Sequence, residues 1–199
     1  MELGYIGIRT SNGVLYGGNQ AHFGKAAARS GCGMIAACDM ILYTRKKRSL
    51  SFSEYSGFVC AFRDNKAYKH TSNPIGIFPH RLTALINSEA QDASFRFYSR
   101  RAFTPDSLRR FIFASVERGM PVIVRVGLNG KSLPFKIISG SNCKESCMGW
   151  HYITVTGIVG DRLTFSSWGE KGVMKCSRLY RHFGLTGGVI ADSKIPAPN

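Results

Sequence analysis

Cys32 stands between two glycines in "SGCGMIAACDMILY", immediately before an apolar stretch that reads as a buried helix. A thiol attacks carbonyl carbon as its thiolate, and a free cysteine is only slightly ionised at neutral pH. The positive end of a helix dipole favours the thiolate, and a nearby imidazole favours it further. Cys32 is placed for the first effect. Gly31 and Gly33 allow a sharp turn and a close substrate approach, and the Cys32 amide is placed to donate to an oxyanion. The other cysteines lack this setting: Cys38 falls inside the helix, and Cys60 and Cys176 fall in stretches that read as strands, where burial accounts for them.

The partner base must be a histidine that the fold brings close. His151 opens the apolar strand "HYITVTGI", where a side chain at the strand mouth can point across a cleft. The rivals are His70 and His80 in a polar stretch, His182 near the end of a short helix, and His22, close in sequence to Cys32. A third group has to fix the imidazole tautomer. The strand after the His151 strand ends in "SSWG", and antiparallel pairing brings Ser166 or Ser167 level with His151, with Trp168 as a cover against water. Cys143, Cys147 and His151 also share a C-x3-C-x3-H spacing that suits zinc, but no fourth ligand is evident and Gly149 and Trp150 break any helix that would align them. The two cysteines then read as free thiols or as a disulfide across a loop.

The elements that must hold these residues follow from pattern. Residues 1–20 are glycine-rich, with turns at "SNG" and "GG". A helix over Gly33–Tyr43 is apolar around its circumference, with Asp39 its lone charge, as expected of a helix inside a lobe. Pro79–Ala90 reads as a helix, and "ASFRFYSRR" alternates like a strand. Thr104 caps a helix with Pro105 at its first position, and Gly119 ends it. "MPVIVRVGL" is a strand buried on both faces, and "WHYITVTGIV", "DRLTFSSW" and "GVMKCS" are further strands, the first two joined by a hairpin turn at "VGDR". Residues 50–103 carry no clear pattern beyond these. Helices first and antiparallel sheet second make an α+β fold in a single domain over residues 1–199. Its helical lobe covers 1–103, and its helix-and-sheet lobe covers 104–199.

Lys and Arg number 27 against 12 Asp and Glu, a net charge of +15. A field of that sign attracts acidic partners and nucleic acid. Phe95, Phe97 and Tyr98 interleave with Arg96, Arg100 and Arg101, as in single-strand binders, but no nucleic-acid motif accompanies them, and "TRKKRSL" suits a solvated helix end. No run long enough to span a membrane and no signal peptide is present. As written the chain reads as cytoplasmic, or as a domain of a longer exported protein.

Together "GCGMIAACDMIL", "VERGMPVIVRV", "HYITVTGI" and "SSWG" resemble the papain-like cysteine peptidases, and more closely their C39-like branch, related to bacteriocin-processing proteases. The resemblance covers about half of the chain and leaves 50–103 unmatched. It implies a papain-like fold in which a helical lobe with the nucleophile helix packs on an antiparallel sheet. It also implies hydrolysis of a peptide or amide, or a related amidase or acyltransferase reaction, with a peptide or protein substrate and no cofactor. By it, Cys32 is the nucleophile, His151 the general base and acid, Gln20 or Asn19 the side-chain oxyanion donor, and Ser166 stands where the family has its orienting Asn or Asp. Gln20 lies twelve residues before Cys32, twice the usual interval, and Ala26 holds the nearer place. The alternative is a catalytically silent binding module that uses its basic surface.

Overall fold

Caps, glycine turns and two apolar periodicities divide the chain into short elements. The computed structural model describes residues 1–71, 76–90, 93–126, 132–139, 142–184 and 187–197, the side chains of residues 70, 71 and 139 excepted. In chain order come β1 (Gly7–Thr10), β2 (Gly13–Tyr16), a 3-10 turn (Gln20–Phe23), α1 (Lys25–Ser30), α2 (Cys32–Thr44), β3 (Ser49–Ser51), α3 (Phe52–Asp64), α4 (Lys66–Thr71) and α5 (Pro79–Glu89). Then follow β4 (Phe95–Ser99), α6 (Pro105–Glu117), β5 (Val122–Val126), β6 (Leu133–Ser139), β7 (Asn142–Met148), β8 (His151–Val159), β9 (Arg162–Ser167), β10 (Glu170–Lys175), α7 (Cys176–Arg181) and β11 (Gly188–Asp192). The fold is α+β. Strands β2, β1 and β3 form a small sheet, and the other eight form one antiparallel sheet in the order β4-β11-β5-β8-β9-β10-β6-β7.

Parity along the central strands separates two cores. On β5, Ile123 faces the first core with Tyr152 and Ile190, packed under α2, α3 and α5. Val122, Val124 and Val126 face the second, with Ile153, Val155 and Phe165, under α6 and α7. The sheet centre is therefore covered on both sides, as the unbroken β-branched run of β5 requires. Every residue of α2 from Gly33 to Tyr43 is buried, and each fully buried Met or Ile there stabilises the fold by about 2 kcal/mol. The start of α2 lies hard against β8: a Cβ on Gly33 would stand 2.7 Å from Ile77 and 3.2 Å from the Tyr152 ring.

Three readings of the sequence change. Cys60 lies in α3 and Cys176 opens α7, so neither is on a strand. The segment 50–103 holds a capped helix: the Ser51 hydroxyl accepts from Glu54 N, and the Glu54 carboxylate accepts from Ser51 N. Its last strand, β4, joins the large sheet beside β11 instead of staying with the helical lobe.

Candidate active site

Cys32 is the first residue of α2, so its N–H has no acceptor within the helix. Its side chain is half-buried, at the junction of two small cavities. The first cavity is lined by Cys32, His151, Gln20, Ser166, Ser167 and Trp168, with Asp39 beneath. Burial pushes the Cys32 thiol up; the Tyr152, Gly33 and Cys32 N–H groups and the Arg125 guanidinium pull the other way and offset only part of that effect.

Burial also lowers the pKa of His151 from 6.5 to about 4. At neutral pH the resting pair is therefore a thiol and a neutral imidazole. His151 Nε2 is 2.8 Å from Ser167 Oγ, and the Trp168 ring lies 4.5 Å from the imidazole, tilted by 33°. With Nε2 protonated and donating to Ser167, Nδ1 is left as the basic nitrogen. Trp168 reaches this place from the two-residue turn between β9 and β10, where Trp168 and Gly169 both have positive φ, 54° and 77°. A tryptophan in that region costs on the order of 1 kcal/mol.

The hydroxyl that meets His151 is thus that of Ser167, not Ser166. The reason lies in the register of β8 and β9. Opposed residues share a sheet face, and successive residues alternate. From the turn at Gly160 and Asp161, where Val159 opposes Arg162, an unbroken count would set Ser166 against Val155, on the face of His151. Thr156 is an extra residue in β8, and beyond it Val155 opposes Phe165 and Thr154 opposes Ser166. This one-residue bulge hands the His151 face to Ser167. Ser166 is turned to the α2 side, where its hydroxyl donates to Tyr16 O at 2.7 Å.

Gln20 reaches the cavity despite its distance in sequence. The 3-10 turn and α1 fold the intervening residues into a compact excursion, closed when Gln20 Nε2 donates to Ala28 O at 2.7 Å. One Nε2 hydrogen remains for another acceptor. Asn19 instead caps the turn, accepting from Ala21 N at 3.0 Å.

Asp39 was not a candidate in the sequence, yet it anchors the loop that carries Gln20. Its carboxylate accepts from Tyr55 Oη at 2.6 Å, Gly18 N at 3.0 Å and Tyr5 Oη at 3.3 Å. Burial raises its pKa from 3.8 to about 6, against the lowering effect of these three donors. A Cβ on Gly17 would stand 2.6 Å from Asp39 Oδ2, and Gly17 has φ +76°, so only glycine passes here without strain. A lone aspartate in an otherwise apolar helix was the available signal.

The other candidates lie elsewhere. His22 packs on Phe52 and His80 on Phe78, His182 bonds Arg178 O, and the His70 side chain lies outside the described residues. Cys143 and Cys147 are exposed on β7, four residues apart on one strand. That separation, about 13 Å, is far beyond disulfide reach. His151 is turned away into its own cavity, and among the described residues no three ligands gather for a metal. Phe95 and Tyr98 are buried in the cores, so they are not free to stack on bases. In "TRKKRSL", Arg45 pairs with Glu89 at 3.3 Å and Arg48 lies over the Tyr43 ring. No helix among the described residues is long and apolar enough to cross a membrane. Compared with known proteins, the chain matches no protein-family model and no curated protein sequence.

Proposed function

We propose that the protein is a papain-like cysteine peptidase of C39-like type, or an amidase or acyltransferase of the same chemistry, with Cys32 as nucleophile and His151 as base. The observation that carries this reading is the 2.8 Å bond from His151 Nε2 to Ser167, made on the cavity that Cys32 and Gln20 also line. In the reaction His151 Nδ1 takes the thiol proton as Sγ bonds to the carbonyl carbon and the π electrons move to oxygen. The Cys32 N–H and the second Gln20 Nε2 hydrogen are the donors for that oxyanion. The imidazolium then protonates the leaving nitrogen, the C–N bond breaks, and a thioester remains. Water, losing a proton to His151, attacks the thioester; the C–S bond breaks and sulfur regains its proton. An amine in place of water gives acyl transfer.

A silent binding module is the competing reading, and the raised Cys32 thiol favours it. A peptidyl acyloxymethyl ketone, which alkylates an activated thiol, separates the two when the labelled residue is found by peptide mass mapping. The peptidase reading expects labelling at Cys32 that is lost in Cys32→Ala and slowed at least about a hundredfold in His151→Ala. Labelling spread over the exposed Cys143 and Cys147, and indifferent to His151, would favour the module.

A further inference from the structure

The Cys32–His151 pair borders a second cavity, on the side away from Ser167, whose other walls include Arg125, Trp150, Tyr152 and Ile77. Arg125 is out of keeping with its strand. It lies in β5 between the core residues Val124 and Val126, is only 5% exposed, and opposes Tyr152 in register. Its guanidinium carbon lies 5.0 Å from the centre of the Trp150 ring, 5.6 Å from Phe78 and 5.8 Å from Tyr152. Three rings surround the guanidinium and hold it beside the cavity, and a guanidinium, with five N–H donors, suits planar carboxylates. Its charge is felt at the sulfur, since it favours the Cys32 thiolate.

Trp150 supplies the second observation. Its indole N–H is buried and has no acceptor among the described residues. A buried donor left unmade is costly, and each such group in a folded protein calls for an explanation. A donor lacking its acceptor, a fixed guanidinium and a nucleophile on the same small cavity make a place for an oxygen-rich anionic group of a ligand.

We infer that this cavity is the subsite for a substrate carboxylate next to the scissile carbonyl, received by Arg125 and the Trp150 N–H. The inference rests on the peptidase reading above. The carboxylate comes either from an acidic side chain or from a free C-terminus, and the net charge of +15 favours acidic substrates at longer range.

Two pairs of alkylating reagents test this: N-iodoacetylglycine against its amide, and the α-amide of N-iodoacetylglutamate against that of N-iodoacetylglutamine. In each reaction Sγ displaces iodide, and the thiol proton passes to His151. Rates at Cys32 are read by peptide mass mapping in about 1 M NaCl, where the screening length is about 3 Å and long-range attraction is removed. The carboxylate member of one pair is expected to react about tenfold faster than its amide. The glycine pair reports a C-terminal carboxylate, and the glutamate pair an acidic side chain. Within a pair the ratio cancels the thiolate fraction. It is expected to fall to about one in Arg125→Gln and to drop severalfold in Trp150→Phe, a half-buried position that serves alone if the Arg125 variant fails to fold. Ratios near one in the parent for both pairs, or ratios that neither substitution changes, overturn the subsite while leaving the nucleophile intact. A Cys32 inert to all four reagents overturns the peptidase reading itself.

Discussion

On the sheet wall of the first cavity, the His151 imidazole makes one hydrogen bond among the described residues, to Ser167, and has an indole over its ring. On the helix wall, Asp39 is buried as deeply but is met by three donors. Burial disfavours the charged form in both cases, so the histidine is lowered to about 4 and the aspartate raised to about 6. The sheet wall keeps the imidazole neutral at rest. The helix wall keeps a carboxylate as an acceptor that fixes the Gly18–Gln20 loop. On the function proposed above, the first serves chemistry and the second position.

The largest expected effect breaks the helix wall. Asp39→Ala strands two tyrosine hydroxyls and an amide in a buried site and is expected to cost about 3 to 5 kcal/mol in urea unfolding. Asp39→Asn, which keeps the volume and one acceptor, costs less.

The two walls also have opposite pH dependence. Between about pH 4 and 6.5 the unfolded state protonates His151 while the folded state does not, so this group makes stability rise with pH. Between about 3.8 and 6 the folded state holds a proton on Asp39 that the unfolded state has lost, so this group makes stability fall as pH rises. Each amounts to about 3 kcal/mol, and over pH 4 to 6 they nearly cancel. Unfolding free energy measured across that window is expected to climb with pH in Asp39→Asn and to decline in His151→Gln. The same slope in both variants would remove the contrast.

The adjacent serines fall on opposite sides of the same contrast. Ser167→Ala removes the bond to His151 and is expected to slow Cys32 acylation about tenfold. Ser166→Ala removes a bond to Tyr16 O and shows instead as about 1 kcal/mol of lost stability. The cover is read by titration. Trp168→Gly relieves the positive φ while admitting water, and raises the His151 pKa from about 4 toward 6.5 in an NMR titration.

What the sequence made legible was set by local rules. The helix of Cys32, the capped helix after Thr104 and the hairpin before Ser166 follow from apolar period, caps and turn residues, and each stands where its pattern placed it. Helix α3 was not read from the sequence: its signals, Ser51-x-x-Glu54 and Tyr55, Val59 and Phe62 at helical spacing, are hidden among charges and aromatics. The choice between the serines was not legible, because it depends on one extra residue at Thr156. That bulge is fixed by distant contacts, Leu3 N donating to Thr156 O at 2.8 Å and Tyr16 Oη lying 2.7 Å from Thr156 Oγ1. Gln20 and Asp39 were obscured in the same way, one by an excursion that the fold closes and the other by partners 16 to 34 residues away.

Acyl transfer to sulfur reports on the Cys32–His151 pair itself. With p-nitrophenyl acetate, the Cys32–His151 pair is expected to add one acetyl group at Cys32, at a rate that is flat from neutral pH down to about 5 and falls as His151 protonates near 4. His151→Ala is expected to lose at least about a hundredfold. Acetylation that favours Cys143 and Cys147 over Cys32, or that proceeds unchanged without His151, would contradict the account.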